Sequence, residues 1–223
     1  MSGRLLVVTA VEVEAAAIRS GLAKSEVATV IAVGVGPALA GAATARRLAL
    51  AEAAGRPYQG VVSAGIGGGF VGRAPVGGTV LATRSVAADL GAESPGGFIP
   101  VDQLGMPPEQ LGAKLSITTD PMLLAMLRSR LPHAVSGAVL TVSTVTGTTE
   151  STEALATRHP DAVAEAMEGY GVACAAAGAS VPFAELRTIS NPIGPRDRAA
   201  WRMREAFEAL TAAATALRWE TPT

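Results

Sequence analysis

The sequence predicts one three-layer α/β domain spanning residues 1–223, on three observations. Short apolar runs alternate along the chain with stretches of helical periodicity. No internal repeat or linker interrupts that alternation. A central apolar run at residues 59–70, QGVVSAGIGGGF, ends in four glycines within five positions: Gly65, Gly67, Gly68 and Gly69. A buried strand that stops in a turn with almost no side chains lets backbone N–H groups approach a ligand closely. In an open α/β sheet, ligands sit beyond the carboxyl ends of the strands. The run does not name its ligand. It is not Gly-x-Gly-x-x-Gly, because Phe70 stands where the last glycine would be, and no Gly-Lys-Ser/Thr follows to make a P-loop. A tight structural turn accounts for the same residues equally well.

The elements follow in order. Residues 4–10 (RLLVVTA) are apolar on both faces and read as a buried strand. Residues 12–22 read as a short helix with Ala15, Ile18 and Leu22 on one stripe. A second strand at 27–33 runs into Gly34-Val35-Gly36-Pro37, and Pro37 suits the first turn of a helix that continues to about Ala54. After the glycine run, residues 77–88 read as a strand and 89–108 as a long loop. Asp120-Pro121 pairs an N-cap with proline at the first helical position, opening a helix to about Arg130. A strand at 134–143 ends among hydroxyls and glycine. A short helical piece at 152–158, a small-residue helix at 167–177, a last strand at 183–190, a rigid loop at 191–195 and an amphipathic helix at 197–218 complete the reading, with residues 220–223 frayed.

Composition bounds the function. Nearly half of the residues are hydrophobic (49%) and the net charge is −1, so no basic surface for nucleic acid or acidic membrane is expected. Cys174 is the sole cysteine, cannot form an internal disulfide and suits a reducing, cytoplasmic setting; its alanine-rich surroundings read as a buried site. The apolar run at 5–11 is followed at once by Glu12 and Glu14, which spoils a signal peptide. No apolar run reaches membrane-span length. His133 and His159 lack ligands at metal spacing, so no metal site is expected.

Polar residues gather where the strands end. The first strand delivers Glu12 and Glu14, the central strand the glycine wall, the segment around Glu165 delivers Ala166-Met167-Glu168, and the last strand Ser190 and Asn191. Two acids, an amide and no metal suit proton transfer to water and a leaving group, or hydrogen bonds to sugar hydroxyls. Each also has a purely structural reading: Glu12, Glu14 and Glu168 as first-turn acids complementing a helix dipole, Asn191 as a turn former. From composition and spacing alone, an α/β enzyme and a small-molecule binding protein both stay open.

At these residues the chain resembles the purine nucleoside phosphorylase and nucleosidase superfamily. The matching stretches are Ala10-Val11-Glu12-Val13-Glu14, Gly34-Val35-Gly36, Ser63-Ala64-Gly65-Ile66-Gly67-Gly68, Ala166-Met167-Glu168 and Arg187-Thr188-Ile189-Ser190-Asn191. They occur in family order over nearly the whole chain. The resemblance implies a three-layer α/β/α domain with a mixed central sheet, cleavage of an N-glycosidic bond to a purine, no cofactor, and a homo-oligomer. By that resemblance Glu14 activates water and Glu168 grips the ribose hydroxyls. Met167 packs beside the ribose, Thr146 and Gly147 lie along the base, and Gly65, Ile66 and Gly67 form the glycine wall. Phosphorolytic members carry an arginine where this chain has residues 11–15 with two acids, and a phosphate there is electrostatically unfavourable, so water is the expected nucleophile.

One departure bears on the base. Adenine-cleaving nucleosidases end the last strand in Ile-Ser-Asp; this chain has Ile189-Ser190-Asn191. Adenine presents an acceptor at N7 and a donor at its amine, whereas hypoxanthine presents acceptors at both N7 and O6. An asparagine amide donates to acceptors and cannot ionise, so Asn191 points to a 6-oxopurine. Within the superfamily that matches the futalosine hydrolases, which release hypoxanthine from futalosine in an alternative menaquinone route; residues 88–93, 97–100 and 144–148 resemble that group as well. The alternatives are an adenine-releasing nucleosidase, a 6-oxopurine phosphorylase, and a nucleoside-binding protein without activity. For the aromatic carboxylate on the 5′ side of futalosine, Arg84 and the 89–108 loop are the candidates by position.

Overall fold

Ten strands and six α-helices are described in the computed structural model, which covers residues 4–22, 28–105, 110, 112 and 114–217. The strands are β1 (Leu5–Thr9), β2 (Ala28–Ala32), β3 (Gly60–Gly69), β4 (Thr79–Ala87), β5 (Gly91–Ser94), β6 (Gly97–Pro100), β7 (Ser116–Thr118), β8 (Val135–Thr141), β9 (Ala162–Ala166) and β10 (Phe183–Pro192). The helices are α1 (Glu12–Leu22), α2 (Pro37–Ala53), α3 (Pro121–Arg130), α4 (Thr149–Arg158), α5 (Gly169–Gly178) and α6 (Met203–Ala216). The chain forms a three-layer α/β/α domain on a mixed sheet of order β10-β4-β8-β9-β3-β1-β2. Its strands alternate inward and outward between two cores, as the period of two requires. Leu5 and Val7 of β1 join Ile18 and Leu22 of α1, Leu123 and Leu127 of α3 and Leu210 of α6 on one face. Leu6 and Val8 join Ala40 and Leu48 of α2 and Val172 and Ala176 of α5 on the other.

β3 organises the sheet. Its first half lies parallel between β1 and β10, and its last two residues, past the end of β1, pair antiparallel with β9. β10 pairs parallel with β3 and antiparallel with β4, so the sheet curls back on itself. This corrects the expected turn at the glycine run. Gly65 to Gly69 continue the strand, none with a positive φ, because β10 and then β9 take up their backbone hydrogen bonds. Glycine is needed there for closeness, not for turning. A Cβ on Gly67 would stand 2.7 Å from the Glu165 carbonyl oxygen, and one on Gly69 would stand 2.5 Å from that of Ala74.

Other boundaries shift for identifiable reasons. The 89–108 segment holds the β5–β6 hairpin and a 3₁₀ turn at Val101–Gln103; its last residues, 106–108, lie outside the described set, as do Val27 and residues 218–223. β9 (AVAEA) is wholly buried and lacks alternation, so the sequence offers no strand period there. The small-residue helix starts at Gly169, with Glu168 at its N-cap position. The closing helix is split, with a 3₁₀ turn at Arg198–Ala200 before α6. Asp120 caps α3 as expected, accepting from the Met122 and Leu123 N–H groups. Cys174 is exposed rather than buried, because the inward stripe of α5 is Gly169, Val172, Ala173 and Ala176. Gly41 and Gly171 bring α2 and α5 to backbone contact, where a Cβ on Gly171 would stand 2.0 Å from the Pro37 carbonyl oxygen. No helix among the described residues is long and apolar enough to cross a membrane.

Candidate active site

A cleft of about 250 Å³ opens at the ends of β1, β3, β9 and β10, walled by the segments after β8 and β10. Of the residues singled out from sequence, Glu14, Ile66, Gly67, Thr146, Met167, Glu168 and Asn191 line it. Gly65 and Gly147 do not. Gly65 lies behind Glu14, where a Cβ would stand 2.6 Å from the Glu14 Oε1 and 2.9 Å from the Arg187 Nη1. Gly147 holds the opposite wall through its carbonyl, which accepts the Arg196 N–H at 3.0 Å. Glu12 points away, exposed and ion-paired with Arg19, so the first strand contributes one acid to the cleft rather than two.

Glu14 sits in the first turn of α1, directly after β1, and is 3% exposed. Its Oε2 accepts the Ala10 and Val11 N–H groups at 2.9 and 3.2 Å, and its Oε1 accepts the Ile66 N–H at 2.9 Å. The carboxylate thus ties the β1–α1 turn to β3. Burial pushes its pKa above the ordinary carboxylate value; the Ile66 N–H, Arg187 and the Val11 N–H pull the other way without cancelling it. A buried, hydrogen-bonded carboxylate with a raised pKa is a competent general base near neutral pH.

Glu168 reaches the cleft from the start of α5. Its Oε1 accepts the Gly36 N–H at 3.3 Å and its Oε2 meets Arg187 Nη1 at 3.3 Å. Gly36 holds φ +89°, a backbone region that favours glycine, and so turns its N–H towards Glu168 at the entry to α2. Arg187, 1% exposed, is the centre of the charge network. Its Nε donates to Glu185 Oε1 at 2.9 Å and its Nη2 to Ser63 Oγ at 3.0 Å, while Ser85 Oγ donates to the other Glu185 oxygen. Burial works against the Arg187 charge, but Glu185, Glu168 and Glu14 outweigh it and raise its pKa further. Gly169 makes room for this arrangement; a Cβ there would overlap the Glu185 carboxylate.

Asn191 belongs to β10, not to a loop, and pairs with Gly68 after a bulge at Ser190. Its Oδ1 accepts Ser190 Oγ–H at 2.7 Å and its Nδ2 donates to the Pro192 carbonyl at 2.8 Å. One amide hydrogen therefore remains free to donate.

Sequence reasoning gave no role to Arg187, Glu185, Glu165, Arg196 or Trp201. A signal for the first two was present: in FAELRTIS, acid and base stand two residues apart in an apolar strand and so share a buried face. Glu165 lines the cleft on β9, whose register no local pattern reveals. Arg196 and Trp201 line the mouth, with the guanidinium 5.8 Å from the indole centroid. Arg84, in contrast, is paired with Asp161 and does not line the cleft.

Comparisons with known proteins show which family the chain belongs to. The model of the phosphorylase superfamily matches residues 6–218. The futalosine hydrolase of Streptomyces coelicolor is 53% identical over 81% of this chain and 74% of its own length. That of Acidothermus cellulolyticus is 43% identical over 96% of this chain and 92% of its own. Among solved structures, the 5′-methylthioadenosine/S-adenosylhomocysteine nucleosidase of Neisseria meningitidis, in complex with methylthio-immucillin-A, matches with a TM-score of 0.79. It is 18% identical and covers 96% of this chain and 98% of that one, a likeness of fold. The matched span and the identities together place this chain in the phosphorylase superfamily, as a member of its futalosine hydrolase family.

Proposed function

We propose that this protein hydrolyses the N-glycosidic bond of futalosine, releasing hypoxanthine and dehypoxanthine futalosine. The observation that carries the reading is the meeting of Glu14, Glu168 and Asn191 in one cleft of a chain 53% identical to a futalosine hydrolase. Glu14 orients a water molecule and takes its proton. Glu168 accepts hydrogen bonds from the ribose hydroxyls and stabilises the cationic sugar of an oxocarbenium-like transition state. Asn191 donates its free amide hydrogen to N7 or O6 of the purine. Its Oδ1 is already engaged by Ser190, which favours a base edge made of acceptors over one that offers an amine. A donor aimed at charge that grows on the leaving group is worth about 10²–10³ in rate.

Water is preferred to phosphate because the cleft carries the Glu14 and Glu168 carboxylates, and Arg187, the buried cation beneath them, is already committed to carboxylates. The aromatic carboxylate on the 5′ side of the substrate is assigned to Arg196 and Trp201, a cation beside an apolar wall at the cleft mouth. Exposed Val11, Val13, Val35 and Leu39, on the opening turns of α1 and α2 and beside the cleft, support assembly with a second copy of the chain. The test is chromatography after incubation with futalosine, inosine and methylthioadenosine, with and without phosphate. Phosphate-independent release of hypoxanthine from futalosine is expected. Release of ribose 1-phosphate products, or adenine release as the faster reaction, overturns the reading.

A further inference from the structure

The roles above leave the departing purine without a proton, since an amide has none to give. They also leave a buried acid without a role. We propose that Glu165 is the general acid that protonates the purine as it leaves.

Glu165 is 5% exposed and lines the cleft. It stands opposite Gly68 on β3, and Asn191 stands opposite the same Gly68 on β10. Acid and amide are therefore in lateral register across three neighbouring strands, about 5 Å apart per strand, and flank the same stretch of cleft. Thr146 fixes the carboxyl group from the far wall: its N–H donates to Oε1 at 2.9 Å and its hydroxyl meets Oε2. Each oxygen keeps a second site for a ligand. Glu165 makes no ion pair among the described residues, unlike Glu168 and Glu185, so no paired cation holds it ionised.

Burial pushes the Glu165 carboxyl above its ordinary value; the Thr146 hydroxyl and N–H oppose this, and Asp89 adds to it. The other charged groups that line the cleft are Glu14, Glu168, Arg196 and Asp197. The step balances. The C1′–N9 bond breaks and its electron pair passes to the base. Water oxygen bonds to C1′ and gives its proton to Glu14, while the Glu165 O–H gives its proton to N7 and Asn191 donates to O6. Neutral hypoxanthine leaves, and the proton on Glu14 returns through solvent to the Glu165 carboxylate.

The inference rests on the hydrolase reading, and futalosine turnover by the unmodified protein tests that reading separately. Given turnover, Glu165→Gln is expected to lower kcat by about 10²–10⁴, the usual worth of a positioned acid, with KM within about threefold. The unmodified protein loses rate as pH rises through the raised Glu165 value. That alkaline limb is expected to vanish in Glu165→Gln and to persist in Glu165→Asp at reduced rate. A role confined to holding Thr146 would cut the rate and leave the limb in place. Near-normal kcat in Glu165→Gln, a loss expressed only in KM, or an alkaline limb that survives the substitution overturns the proposal.

Discussion

Gly65→Ala tests how tightly the cleft depends on the strand behind it. The added Cβ would stand 2.6 Å from Glu14 Oε1, 3.0 Å from its Cδ and 2.9 Å from Arg187 Nη1, whereas ordinary contact begins at 3.4 Å. The carboxylate must therefore retreat by about 0.8 Å, the difference between 3.4 and 2.6 Å. It cannot do so freely, because the Ala10, Val11 and Ile66 N–H groups hold both of its oxygens. A misplacement near 1 Å costs about 10²-fold in rate. Overpacking a close-fitted site costs about 1–3 kcal/mol, or roughly 2–12 °C in Tm for a chain of this size. Steady-state kinetics on futalosine and a thermal melt measure both. The expected result is a kcat loss of about 100-fold in a protein that still melts cooperatively. A variant within threefold of the unmodified kcat would show that Glu14 need not occupy this position, and the assignment of the general base would fall.

Three further substitutions probe separate parts of the same arrangement. Arg187→Met strands the buried Glu185 and Glu168 carboxylates and is expected to cost about 3–5 kcal/mol by denaturant unfolding; a change under 1 kcal/mol would mean that the network is dispensable. Glu14→Gln is expected to lower kcat by about 10²–10⁴ and to leave secondary structure intact by circular dichroism. For the unmodified protein, the base form of Glu14 is lost as pH falls through its raised value, so kcat/KM declines on the acid side at a pH above the ordinary carboxylate range, and a flat acid limb there contradicts the assignment. Asn191→Asp supplies an acid that both donates and accepts, and is expected to shift the ratio of kcat/KM values from futalosine towards methylthioadenosine; an equal fall with both substrates refutes the account of base selection.

Much of this was legible in the sequence where a residue's chemistry and its local period agree. The stripe of α1, the Asp120 cap and the apolar β1 needed no tertiary context, and Glu14, Glu168 and Asn191 stood out as polar residues at the ends of apolar runs. What escaped depended on contacts between distant segments. β9 carries no alternation because both of its faces are covered, and β5 and β6 are four residues each. The glycine run looks like punctuation until β9 and β10 are seen lying against it. Arg187 stands within a matching stretch, but its place in the network depends also on Ser63 and Glu168, which only the folding of distant segments brings to it.

The guanidinium beneath the cleft also belongs to the interior of the curled sheet, bonded to side chains of β3, β10 and the start of α5. A site carried on surface loops can loosen while its scaffold persists. Here Glu168, which lines the cleft, is bonded to the same guanidinium that neutralises charge inside the sheet. Loosening the sheet around that guanidinium therefore disturbs the cleft as well, so the site and its scaffold are not separable parts.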